Sequence, residues 1–358
     1  MKKTLYLSIL AAALMGGQVF ADYIPTTTDA TYIEEVGIYA GTYSATADVS
    51  GANVTINKET EGGDDLSNSG VYGGYTDGEQ ATASNNKATM TGGQVRYLYG
   101  GKGSTEATGN TVIMTGGSAE LVYGGTGNAK NTGVASGNVA IVAGDCIVSN
   151  TLWGGNAQMG AAANDNKIYL VGKGATATIA DAQGKTATYT GGEISVKNIY
   201  GGVCNNTSTG NSLDIYGTGI TASGMVIKVQ LLNFHIAGAL AVADDPMFTS
   251  TYASFLDLTR VTLGFCSDDV QDWSVFDGKT ITLVSTANSI TVGEGSMGEV
   301  EIKGADGATV ATATLALGNE NKSLVLGNIK GTAPVPEPTT GTLSLLALAG
   351  LCMRRRRK

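Results

Sequence analysis

The feature that most constrains this chain is a frame that recurs at fixed internal spacing. An Asn stands six residues before a Gly at Asn86/Gly92, Asn110/Gly116, Asn138/Gly144, Asn166/Gly172 and Asn211/Gly217. An aromatic-Gly-Gly triplet recurs out of phase with it, led by Tyr72, Tyr99, Tyr123, Trp153 and Tyr200. The second and fourth residues after each Asn are apolar every time: Ala88/Met90, Val112/Met114, Ala140/Val142, Ile168/Leu170 and Leu213/Ile215. Apolarity with a period of two predicts a strand with one buried face. Asn and Gly on its flanks are residues that turns favour, one through local backbone hydrogen bonds and the other through freedom at positive φ. Each repeat therefore reads turn, strand, turn, strand.

Successive Asn residues lie 24, 28, 28 and 45 apart, and the distance from the aromatic residue to the next Asn varies from 11 to 15. Fixed strands joined by variable loops, in units too short to close a core, predict coils stacked at about 4.8 Å. The fold class expected is all-β: a parallel β-helix, or β-solenoid. In such a stack Asn86, Asn110, Asn138, Asn166 and Asn211 become neighbours able to form an amide ladder, and the Tyr/Trp rings become a column. The column serves packing or, if its faces are open, stacking against sugar rings. The interval of 45 contains Thr186-Ala187-Thr188-Tyr189-Thr190-Gly191-Gly192, which reads as an extra rung without its Asn.

The frame occupies residues 69–224. Residues 22–68 read as an entry or cap, with Asn53-Val54-Thr55-Ile56 alternating like a first rung. Residues 225–331 alternate without the frame and are expected to form a β-sandwich-like domain or widened cap, with Phe255, Phe265 and Trp273 in its core. The 52 glycines and the charged fraction of 15% suit short strands and tight turns rather than helices.

Both ends carry targeting signals. Lys2-Lys3, an apolar run from Leu5 to Met15 and Val19-Phe20-Ala21 make residues 1–21 a signal peptide for Sec-type export, the run being too short for a membrane anchor. At the other end, in residues 332–358, Val335-Pro336-Glu337-Pro338 precedes an apolar run from Leu343 to Met353 and then Arg354, Arg355, Arg356, Arg357 and Lys358. This is a rigid tetrapeptide, a short hydrophobic helix and a basic cluster that stays on the cytoplasmic side. It resembles the PEP-CTERM sorting signal of Gram-negative bacteria. That resemblance implies recognition by a membrane-embedded exosortase, cleavage near the Pro-Glu-Pro, a transient C-terminal anchor, and a final place at the cell surface or in the extracellular matrix. The repeats themselves resemble those of autotransporter-type passenger β-helices, a likeness of fold and not of activity.

Charge narrows the partners. Setting aside seven basic residues at the two ends and Glu337 leaves 15 basic against 30 acidic residues in the exported body. A body near −15 disfavours nucleic acid and anionic membranes, while extracellular polysaccharide is compatible with it. Cys146, Cys204 and Cys266 lack paired spacing; a Cys146–Cys204 bridge between rungs and isolated buried thiols are both open.

Catalytic patterns are sparse, and no catalytic residue, cofactor or metal is expected. His235 sits in an alternating strand without a Gly-x-Ser-x-Gly elbow. Gly100-Gly101-Lys102-Gly103-Ser104 lacks phosphate-loop spacing. The pairs Asp64-Asp65, Asp244-Asp245 and Asp268-Asp269 are adjacent in sequence, so in a strand their members face opposite ways. A polysaccharide lyase or glycosidase would need carboxylates and a base converging on one face. Ice binding would need one Thr-x-Thr pair per rung, whereas Thr176/Thr178, Thr186/Thr188 and Thr312/Thr314 are scattered. The reading is a non-enzymatic, exported surface protein with an adhesin-like or matrix role.

Overall fold

The computed structural model describes residues 31–332, apart from 34–37, 57–65, 128, 158, 205–207, 253–255 and 268. The signal peptide, Phe255, Asp64-Asp65, Asp268 and the whole tail with its apolar helix lie outside the described residues. The regular structure of the described chain is almost all β, most of it in one large sheet system of mainly parallel ladders. The Asn-led strands stack in register: Val112 pairs with Ala88 on one side and Ala140 on the other, and Ile168 pairs with Leu213. The residues two and four places after each Asn all point inward and are buried. The entry strand Asn53–Ile56 pairs parallel with Lys87–Met90, as a first rung should.

The coils that open with Asn53–Ile56, Lys87–Met90 and Thr111–Met114 hold three strands rather than two. After the Asn strand comes a long strand carrying the aromatic-Gly-Gly triplet, such as Gln94–Gly103 or Gly117–Gly127. A third, short strand then precedes the next Asn: Thr82–Ser84, Glu106–Thr108 and Val134–Ser136 stack in a sheet of their own. Only one residue of each faces inward, Ala83, Ala107 or Ala135, and it is fully buried. A three-residue strand with an alanine as its one inward side chain leaves no visible periodicity, which is why two strands per repeat were expected.

The long interval between Asn166 and Asn211 does not hold an extra rung. Thr176–Ala180 and Thr186–Thr190 form an antiparallel hairpin that folds back over the outside of the Asn strands. Its Ala177, Ile179 and Tyr189 cluster with Ile113, Val139, Ile141 and Val171, outward-facing residues of those strands that are thereby buried. At its tip the Asp181 carboxylate is 2.7 Å from Lys87 Nζ, three rungs back along the chain, and Ala182 N donates to Thr111 Oγ1 at 3.0 Å.

Parallel stacking also continues past residue 225, where a β-sandwich-like domain or widened cap was expected to begin. Leu231–His235 lies parallel between Ser212–Tyr216 and Thr262–Cys266, and Phe248–Ser250 between Ile220–Ala222 and Thr280–Thr286. Aliphatic and aromatic residues including Phe234, Phe265 and Phe276 continue the same core, with Trp273 packed against it. Past residue 225, the antiparallel ladders of the described residues lie at the end, where Gly298–Lys303, Thr309–Gly318 and Ser323–Gly331 form a meander whose last strand returns onto Thr280–Thr286. Such a meander covers the sheet edge that an abruptly ended stack would expose.

Burial alone would raise the Asp181 carboxyl, but hydrogen bonds from Lys87, Lys185 and Gln183 outweigh it and hold the group below its ordinary value. A depressed carboxylate contributes stability above its unfolded pKa of ~3.9 and loses it as pH falls through the folded value. Asp181→Asn is therefore expected to lower urea stability by about 1 kcal/mol at pH 7, the deficit shrinking as pH is taken below ~3.9. A deficit constant with pH would show that the hairpin is held by its apolar face alone.

Candidate functional site

The recurring Asn residues meet in a continuous hydrogen-bonded line, each completely buried. Asn110 Nδ2 donates to Asn138 Oδ1 at 3.1 Å and Asn138 Nδ2 to Asn166 Oδ1 at 3.0 Å, while each residue's backbone N–H donates to the same oxygen of the next rung at 3.0 to 3.1 Å. The other Nδ2 hydrogen goes to the short strand of the previous coil, for example Asn138 to Ala107 O at 2.9 Å. Each amide thus gives two hydrogen bonds, and the oxygens of Asn110, Asn138, Asn166 and Asn211 each receive two, saturating those groups without water. The line starts with Ala52 N donating to Asn86 Oδ1 and ends at Gln230, whose Oε1 accepts both bonds from Asn211. Gln230 is a member that the frame does not reveal, because one extra methylene lets it take the role from a coil of different length.

The left-handed turn residue is not the ladder Asn but the residue before it: Asn85, Gly109, Gly137, Asp165 and Gly210 all have φ between 55° and 70°. Gly, Asn or Asp at each of these positions is a signal legible in the sequence. Of the glycines expected at the other turn, Gly144 and Gly217 have positive φ, whereas at Gly92 and Gly116 the following Gly93 and Gly117 take it; Gly172 stays at ordinary φ. The paired glycines of the triplets answer to contact. A Cβ on Gly125 would stand 2.4 Å from Asn138 Oδ1, and one on Gly100 would stand 2.3 Å from Gly124 O.

The aromatic column forms and spends its faces on itself. Tyr72, Tyr99, Tyr123 and Trp153 stack with ring centroids 4.3 to 4.6 Å apart and planes within 7°, and Trp153 then meets Tyr200 edge-on at 77°. The outer face of Tyr72 is taken by Tyr75 at 5.0 Å. From Tyr72 to Trp153 the facing ring surfaces are spent on one another, which is a packing role. Lys102, from the segment that superficially looks like a phosphate loop, instead holds its Nζ 4.7 Å above the Tyr75 ring, and burial lowers its ammonium below the ordinary value.

Other candidates disperse. Asp244 and Asp245 are both exposed, and among the described residues no three His, Cys, Asp or Glu side chains are placed to hold a metal. Cys146 lies in the main core, its thiol donating to Ala143 O and pushed up to about 12 by burial, while Cys204 lies in a separate cluster with Ala135, Ala157 and Ala163; the bridge between them does not form. His235 stacks on Tyr216 at 3.7 Å and places Nε2 3.2 Å from Asp214 Oδ1. Ser212 Oγ donates to the same Asp214 carboxylate at 2.9 Å. Thr176/Thr178 and Thr186/Thr188 come together on the exposed face of the hairpin, with Thr178 Oγ1 3.1 Å from Thr188 Oγ1, but as one two-stranded patch and not as a pair per rung.

The structure does assemble one set of polar groups that sequence reading missed. A groove of about 1110 Å³ runs across the corner where Asn strands turn into long strands, lined by Gln94, Ser118, Asp145, Lys173, Glu193 and Ser195 among others. Lys173 Nζ is 3.7 Å from Glu193 Oε1, and Asp145 Oδ1 accepts from Glu193 N at 2.9 Å. Asp145 and Glu193 each follow a turn glycine, and their 48-residue separation conceals that they occupy adjacent rungs.

Comparison with known proteins reaches the end of the chain. Residues 334–358 match the PEP-CTERM protein-sorting motif. This segment contains Val335, Pro336, Glu337, Pro338 and Arg354 to Arg357, which lie outside the described residues. The match marks an exported protein recognised by an exosortase and transiently anchored through its C-terminus. No curated protein and no solved structure matches the chain.

Two outcomes test the ladder and the column. Asn138→Ala strands the groups that Asn138 serves, at roughly 1–3 kcal/mol for each buried group left unpaired, so a loss of about 3 kcal/mol or more is expected in urea unfolding. A loss under about 1 kcal/mol would mean that water replaces the amide. In the column, burial is the main cause that pushes Tyr123 up to about 12 and raises Tyr72 and Tyr99 further. The neutral phenol is the form the fold accepts, so its contribution is intact below the unfolded value near 10 and lost as pH climbs through the folded one. Ultraviolet titration should show these phenols ionising late and together with unfolding; ordinary titration near pH 10 in folded protein would contradict the packing.

Proposed function

We propose that this chain is a non-enzymatic surface or extracellular protein whose β-solenoid body acts as an adhesin-like or matrix element. The observation that carries this is the sorting motif at 334–358 attached to a long, repetitive, low-charge body. The motif delivers the body outward. The Asn line spends its hydrogen bonds inside the fold, and the rings of Tyr72, Tyr99, Tyr123 and Trp153 are stacked on one another. What remains for interaction is the outer surface: corner groove, hairpin face and loops. A rigid rod with a partner-facing flank suits adhesion or matrix building, where area and durability count more than a single reactive centre.

The convergence of Asp145, Glu193 and Lys173 on one groove favours a second reading, a polysaccharide lyase or glycosidase. The two carboxyl groups would then act as acid and base or as a base with a charge-stabilising partner. A reducing-sugar assay with the purified full chain separates the two readings; release of sugar that Glu193→Gln abolishes would replace the first by the second.

For the sorting claim, cell fractionation of the full chain beside a version lacking 335–358 is the test. The full chain is expected at the surface or in the matrix and the truncated one elsewhere, in periplasm or medium. Identical distribution of both would remove the motif from any role in placement.

A further inference from the structure

The corner groove repeats a polar pattern along the solenoid axis. Its floor is one outward-facing column held in register across five coils: Gln94 beside Ser118, Ser118 beside Ile147, Ile147 beside Ser195 and Ser195 beside Thr221. Four steps of ~4.8 Å make this column about 19 Å long. Its side chains are an amide, three hydroxyls and an isoleucine that is 53% exposed, an arrangement in which donor-acceptor groups flank one aliphatic platform. The wall beside it carries Asp145, Lys173 and Glu193.

We infer that this groove binds an uncharged linear polysaccharide lengthwise, parallel to the solenoid axis. The inference rests on the surface or extracellular placement proposed above and names the ligand class for it. Three observations carry it. The periodic hydroxyl and amide groups match a polymer that itself presents hydroxyls at a regular interval, and amide and hydroxyl groups can donate or accept whichever way the chain lies. Lys173 is paired with Glu193, so the wall's net charge is one negative, and the body around it is near −15; a polyanion is repelled both locally and at a distance. An extended peptide finds no strand edge here, because each long strand contributing to the floor is already paired on both sides.

The test is affinity electrophoresis of the full chain, purified in mild detergent, through gels containing glucomannan, mixed-linkage β-glucan or dextran, with alginate as the anionic comparison. Retardation by at least one uncharged polymer is expected, with apparent affinity at least tenfold weaker for Ile147→Glu and for Ser195→Glu. Both positions are exposed, so folding should survive; circular dichroism checks this, and either variant suffices alone if the other fails to fold. Thr188→Glu, exposed on the hairpin, should bind as the unaltered chain does. Absence of retardation by all three uncharged polymers overturns the proposal, as does equal retardation of the groove variants or stronger retardation by alginate. Export is read separately by fractionation, so a chain that reaches the surface but is not retarded refutes the groove and leaves the placement standing.

Discussion

The structure depends on one interaction, an amide side chain that must find four hydrogen-bond partners in a place water does not reach. An isolated buried amide is costly, and one that is fully satisfied specifies its surroundings closely. Each ladder Asn is satisfied only if the next coil places an amide oxygen directly beside it, from Asn or at the end from Gln230, and the previous coil presents a backbone carbonyl. Coil height, register and path are therefore coupled at a single point. The glycines follow from it: the second glycine of each triplet lies where any side chain would enter the amide, and the first lies where it would strike the backbone of the next coil.

Away from that line the chain is free to vary, and it does. The stack accepts a hairpin between two rungs because an insertion at a turn disturbs neither neighbour, and the hairpin contributes by covering outward-facing Ile113, Ile141 and Val171. After Gln230 ends the amide line, larger side chains take over: Phe234 stands in register with Met90, Met114, Val142, Leu170 and Ile215 of the earlier coils, and Phe276 is likewise fully buried. Nearest-neighbour contact is enough to propagate such a stack, so the coils need share only their pairing edges.

For function, the consequence is a division between what the fold consumes and what it leaves over. The conspicuous repeated residues are absorbed internally: amides by amides, rings by rings. What faces outward at the corner is an inconspicuous column of Gln, Ser, Ile, Ser and Thr. Its order arises because the same register that aligns the ladder also aligns every other position of the coil. The charged groups beside it, Asp145, Lys173 and Glu193, gather there because the hairpin leaves and rejoins the stack at that turn.

By itself the sequence determined the parallel stack, the inward residues two and four places after each Asn, the amide line, the ring column and the sorting motif. All of these are local patterns repeated at nearly constant spacing, or a short motif read in order, so the physical reason for each is present within a few residues. Only the tertiary structure decided the third strand of the first Asn-led coils, the hairpin's return across the outside, the parallel continuation beyond residue 225 and the corner groove. The short strand has one inward alanine and so no period to detect. The hairpin shares Thr-x-Thr-Gly-Gly character with true rungs, and what separates them is Asp181 finding Lys87, 94 residues away. Contacts across that separation follow from coils piling up in space, and no window along the chain contains both partners.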